Sequence, residues 1–119
     1  MNFWLVFLGG GAGAVMRWAI AQIFKSVGSS VWAVLGGTLI ANLIACVLLG
    51  YLVAKGAEQR TMLVLAVGFC GGMSTFSTFS HEVLGLIKSN QWPTAVIYAM
   101  LSVGLGLMAI ALGMRGAGT

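Results

Sequence analysis

Most of the chemistry in this chain is concentrated in one run: Gly68-Phe69-Cys70-Gly71-Gly72-Met73-Ser74-Thr75-Phe76-Ser77-Thr78-Phe79-Ser80-His81-Glu82. Two adjacent glycines weaken a helix. Five hydroxyl residues follow within seven positions: Ser74, Thr75, Ser77, Thr78 and Ser80. In a hydrocarbon environment, backbone freed by a break must find partners. Alternatively, it coordinates an ion through its carbonyls. Phe76 and Phe79 are three apart and share a helix face. Their ring edges are positive and their faces negative. Edges turned toward a dry path favour an anion, and neighbouring hydroxyls supply the donors that the edges lack. That combination suits an anion better than a cation.

Other polar residues interrupt apolar runs. Arg17 stands between Met16 and Trp18, about two turns before Phe24. It is read either as a snorkelling anchor or as a fixed positive charge in an aqueous vestibule. Thr38 and Asn42 share a helix face with Cys46. Asn42 carries more information than Thr38, because an amide cannot be satisfied by its own helix in lipid. It is either an interhelical hydrogen-bonding group or a pore donor. Tyr98 and Ser102, four apart, fit an interfacial aromatic with a self-satisfied serine, or another wall of a polar path. His81 and Glu82 fit a vestibule position better than a proton relay. One histidine and two acidic residues in all, with no metal-ligand cluster or phosphate loop, leave little for acid–base catalysis. The chain is not expected to be an enzyme.

The elements that must position these residues follow from composition. Hydrophobic residues make up 60% of the 119 residues and charged residues 7%, against roughly 25% charged in a soluble domain. Mean hydropathy is +1.03. A chain this short cannot hide so much apolar surface from water. Four segments are long enough to cross a membrane as helices, at about residues 3–24, 31–54, 61–87 and 93–114. Together they form a single all-α transmembrane domain over residues 1–119, its third helix broken. Glycine and alanine recur at four-residue spacing, at Gly9/Gly13, Gly10/Ala14, Gly37/Ala41, Ala41/Ala45 and Gly68/Gly72, which lets backbones approach closely.

The net charge of +4 comes from single basic residues near the ends of the spans, with no patch to follow a nucleic-acid backbone. Lys55, Arg60 and Arg115 fall on one side of the membrane, and Lys25, Lys88 and Arg17 on the other. This balance leaves the positive-inside rule with almost no preference, so the chain is expected to insert both ways. Two opposed copies can then pair about an axis in the membrane plane. Cys46 and Cys70 are read as reduced, buried residues, and the N-terminal stretch does not read as a cleaved leader.

Together these residues resemble the Fluc (CrcB) family of bacterial fluoride channels over nearly the whole chain. The resemblance rests on Gly9-Gly10-Gly11-Ala12-Gly13-Ala14 leading to Arg17, on Gly37-Thr38 with Asn42, and above all on Gly71 through Ser80 with Glu82. It implies an antiparallel, dual-topology homodimer in the bacterial inner membrane, with two pores passing fluoride passively out of the cytoplasm. It implies that Asn42, Phe76, Phe79, Ser77, Thr78, Ser80, Tyr98, Ser102 and Thr38 line the anion path, with Arg17 and Glu82 at the vestibule. It also implies a structural sodium ion held by the backbone carbonyls of Gly71 and Ser74. Ser74 stands where the family usually has threonine, and Cys46 where glycine is common. The competing expectation is a proton-coupled exporter of the small multidrug-resistance type. That activity needs a mid-membrane carboxylate, and the first span has none.

Overall fold

The computed structural model describes residues 3–28 and 30–118. Met1 and Asn2, on which the leader reading partly rests, lie outside the described residues. Helix α1 runs Phe3–Val27, α2 runs Val31–Lys55 and α5 runs Trp92–Gly116. Between α2 and α5 the chain forms α3, over residues 59–73, and α4, Phe76–Lys88. By length and hydropathy, four helical stretches are able to cross a membrane: α1, α2, residues 59–88 taken together, and α5. Each 25-residue helix is roughly 37 Å long, more than the ~30 Å hydrocarbon core. The long dimension of the chain is 46 Å, close to a whole bilayer with its headgroups.

Local sequence explains the helix ends. Ser30 caps α2 by accepting from the Ala33 N–H at 3.2 Å, which satisfies one of the orphan donors of a first turn. Gly56 ends α2 in the left-handed region at φ 69°, and Ala57 N–H returns to the Leu52 carbonyl. That is a glycine-dependent stop. Asn90 closes α4 in the same way, at φ 61°. Pro93 sits in the first turn of α5, where its missing N–H is not needed.

Helix α3 has three parts: α-helical Gln59–Thr61, a π-helical stretch Met62–Cys70, and a last α turn Gly71–Met73. In the π stretch hydrogen bonds reach five residues back, as when Gly71 N–H bonds the Ala66 carbonyl. Such widening is rare and concentrates at functional sites. The sequence points to the paired glycines as the break, but Gly71 and Gly72 remain helical. The interruption comes just after them, where Ser74 (φ −84°, ψ 149°) and Thr75 (φ −150°, ψ 120°) are extended.

The structural task of these glycines is contact with α1. A Cβ on Gly72 would strike the Gly10 backbone carbonyl, and one on Gly13 the Phe69 carbonyl. Gly9 and Gly68 meet in the same seam. A second close seam joins α2 to α5, where Gly50 lies against the Ile110 backbone and Gly113 against that of Val47.

Two clusters hold these helices. Ala41, Ala45, Cys70 and Met73 fix α2 on α3. Leu35, Leu86, Ala95 and Tyr98, with Phe79 and Val83 against them, hold α4 between α2 and α5. The two extended residues therefore sit where one cluster gives way to the other.

Candidate functional site

In an uninterrupted helix the Gly71 carbonyl would accept from the Thr75 N–H. That N–H instead donates to Asn42 Oδ1 at 3.0 Å. The Gly72 carbonyl would likewise lose its partner across the extended pair, and Arg17 Nε donates to it at 3.1 Å. Buried backbone polar groups must be paired, so Asn42 and Arg17 are what α2 and α1 contribute to the interruption. Ser74 N–H and Ser74 Oγ both donate to the Cys70 carbonyl, at 2.9 and 2.8 Å. The Gly71 carbonyl is thus freed from its helical donor. The carbonyl of extended Ser74 lies beyond the last helical turn.

Thr75 then begins α4. Its Oγ1 accepts from the Thr78 N–H at 3.2 Å, the N-cap arrangement, and it lies 3.1 Å from Ser77 Oγ and 3.3 Å from Thr78 Oγ1. Thr75 is absent from the pore residues inferred above. A hydroxyl residue three positions ahead of Thr78, at the head of an amphipathic run, is a cap signal that identifies it.

A cavity of about 300 Å³ opens on this junction, walled by Asn42, Cys46, Ser74, Thr75, Phe76, Phe79, Ser102 and Val103. Asn42 has its carbonyl oxygen committed to a donor, so its NH₂ is the group it can offer a ligand. Among the described residues Ser102 Oγ is buried with no hydrogen-bond partner, which carries a cost unless a ligand completes it. The Phe76 and Phe79 rings lie 6.0 Å apart at 39°. Phe79 in turn lies 5.2 Å from Tyr98. Phe76 is 79% exposed, so its place in one chain is not held by packing.

On the other side of Thr75 lies a second cavity, about 180 Å³, with Arg17, Gln22, Lys25, Thr38, Thr75 and Thr78 among its walls. Two cations and several hydroxyls give it an anion-attracting character. Below it, Glu82, assigned from the sequence to a vestibule, is half-buried. It accepts from Thr38 Oγ1 at 2.8 Å and from Tyr98 OH at 2.6 Å. Each of those hydroxyls has one proton, and in this arrangement both protons go to Glu82. Tyr98 is fully buried, and Thr38 is 8% exposed.

Most of the residues inferred from sequence fall into three groups. Asn42, Phe76, Phe79 and Ser102 meet at the first cavity. Arg17, Thr38 and Thr78 border the second. Thr38, Tyr98 and Glu82 form one hydrogen-bonded unit. Ser77 is exposed beside Thr75, and Ser80 and His81 are exposed on α4. A third space of about 160 Å³ has Gly71 and Ser74 on its wall, with Ala45, Cys46 and Cys70. Among the described residues no group of three or more His, Cys, Asp or Glu side chains is placed to hold a metal ion.

Residues 4–114 match the family described as CrcB-like protein, Camphor Resistance (CrcB). Similar proteins include the fluoride-specific ion channel FluC of Phocaeicola vulgatus, 36% identical over 92% of this chain and 93% of that protein. The protein of the same name from Ignicoccus hospitalis is 38% identical over 91% of this chain and 88% of its own length. The one from Pyrococcus furiosus is 38% identical over 92% and 89%.

Proposed function

Because this chain belongs to the CrcB-like family, we propose that it forms a fluoride-selective channel built from two oppositely inserted copies, each pore passing near one Phe76–Phe79 pair. The observation that carries this reading is the cavity at the interrupted span. It offers an amide NH₂ from Asn42, an unpartnered buried hydroxyl from Ser102, and two aromatic rings, with no carboxylate on its wall.

Fluoride is small and strongly hydrated. A path for it must replace water donors without adding acceptors that repel it. Asn42 and Ser102 supply donors at one end, and Ser77, Thr78 and Ser80 follow along α4. Ring edges of Phe76 and Phe79 supply a positive field with no hydrogen bond to release. Entry is favoured by the second cavity, where Arg17 and Lys25 raise the local anion concentration. Glu82 holds the Thr38 and Tyr98 hydroxyls in one orientation. Both its oxygens are engaged by those hydroxyls, and it lies on the wall of neither cavity.

The same interruption suits a structural sodium ion. Freed carbonyls of Gly71 and Ser74 are hard oxygen donors of the kind such a cation takes, and two copies would contribute two each. Gly71 is exposed, and a methyl group added to its α carbon would meet nothing within 4 Å. That leaves room for a second copy to approach. Sodium bound there would supply a fixed positive charge at the dimer axis. Passive export across the bacterial inner membrane follows if fluoride enters the cell as neutral hydrogen fluoride and dissociates.

The exporter alternative needs a carboxylate free to exchange a proton for a cation, and Glu82 is already engaged by two hydroxyls. Growth distinguishes the two. Expression in bacteria lacking their own fluoride exporter is expected to restore growth on fluoride and give no protection against cationic drugs. Drug protection without fluoride rescue would favour the exporter.

A further inference from the structure

On the far side of α2 from Asn42, a trough opens between α2 and α5. Its volume is about 560 Å³, and its walls include Ile44, Val47, Leu48, Tyr51, Leu112 and Gly116. The glycine seam of Gly50 and Gly113 brings the two helix backbones together here. Side chains flanking so close a contact splay outward, and the space between them remains.

The trough has a direction. It begins at Leu43, near the middle of α2, and runs toward Lys55, the last residue of that helix. Its lining on α2 ends at Tyr51, so it covers eight residue steps, roughly 12 Å of helix, most of one leaflet of a ~30 Å core. Its shallow end carries positive charge. Lys55 Nζ lies 5.9 Å from the centroid of the Tyr51 ring, and Arg115 precedes Gly116 in the last turn of α5. Glu58 is the one carboxylate in the loop at this end, against Lys55, Arg60 and Arg115.

We infer that this trough binds an anionic phospholipid, one acyl chain lying along α2 and α5 and the phosphate held by Lys55 and Arg115. An apolar slot most of a leaflet deep, with two cations within about one turn of its lining, matches one lipid molecule in length and in charge. A second copy of the chain fits less well. Tyr51 is nine residues from Asn42, about half a turn around the helix. If copies meet at the Asn42 cavity, as the proposed function holds, the trough faces the bilayer.

The test is native mass spectrometry of the full-length protein, reconstituted in equal phosphatidylglycerol and phosphatidylcholine of the same chain length. Retained phosphatidylglycerol is expected to exceed phosphatidylcholine by roughly thirtyfold, the combined effect of two surface cations. Lys55→Gln with Arg115→Gln should bring the two lipids to parity. Gly116→Leu should lower retention of both by filling the slot. The added Cβ meets only the edge of Tyr51, at an ordinary 3.9 Å, so the fold should be kept. Equal retention in the wild type, or a preference unchanged in the double variant, overturns the inference. So does conversion of the double variant to monomer, which would make this face the contact between copies. Fluoride flux is measured on the same samples. Lipid selectivity in a protein that does not conduct would keep the lipid site and remove the proposed function.

Discussion

Replacing Phe76 with isoleucine is expected to abolish fluoride conduction while leaving the fold of the chain intact. The two halves of that expectation rest on different observations. Phe76 is 79% exposed in the chain, and exposed substitutions usually shift stability by less than about 0.5 kcal/mol. Its ring nevertheless stands 6.0 Å from Phe79 on the wall of the Asn42–Ser102 cavity. Isoleucine keeps the apolar surface and removes the positive ring edge. Raising the barrier to ion passage by about 2.7 kcal/mol slows transport a hundredfold, and loss of the edge field in an otherwise dry segment is expected to do at least that. Phe79→Ile should give the same loss of flux with a larger cost in stability, because Phe79 also packs on Tyr98 and the α2–α4–α5 cluster. Efflux and thermal unfolding measured on the same preparations separate the two effects. Wild-type flux in Phe76→Ile would mean that the ring plays no part in conduction.

The second large effect is expected at Gly72. Its Cα approaches the Gly10 backbone so closely that a methyl group would strike the carbonyl oxygen. Neither partner is the end of a flexible side chain, so the α1–α3 seam must open. Gly72→Leu is expected to destabilise the protein by about 3 kcal/mol, the upper range for overpacking a tight contact. Arg17 would also lose the Gly72 carbonyl it now bonds. Gly11→Ala provides the contrast, next to Gly10 on α1. Nothing lies within 4 Å of a Cβ at Gly11, and exchanging helical glycine for alanine stabilises by up to about 1 kcal/mol. Thermal unfolding in detergent should move in opposite directions for the two variants. Equal melting temperatures would contradict the close seam.

These residues also show where the sequence was legible. Four spans followed from hydropathy and length, because lipid forces long, uniformly apolar helices. The small-residue spacing in α1 and α3 marked a close seam, and Gly9, Gly13, Gly68 and Gly72 lie in it. The α2–α5 seam at Gly50 and Gly113 was missed, although Gly50/Ala54 and Ala109/Gly113 carry the same four-residue spacing. The glycine pair drew attention to the right turn of the third span but not to its open residues. Gly71 and Gly72 stay helical, and the chain opens at Ser74 and Thr75. Whether a glycine serves flexibility or close approach depends on what stands opposite, and only tertiary structure supplies that. For the same reason no local pattern reveals that Asn42 takes the Thr75 N–H, or that Thr38 and Tyr98 converge on Glu82. Those bonds join residues 33, 44 and 16 positions apart. The π stretch had no sequence signal either.

The most direct measurement is ion efflux from liposomes containing the purified protein, loaded with fluoride and chloride and followed with electrodes selective for each. A channel whose path is lined by Asn42, Ser102 and the two phenylalanines is expected to empty the vesicles of fluoride rapidly while chloride stays inside. Fluoride retained in the vesicles, or chloride leaving at the same rate, would contradict the account.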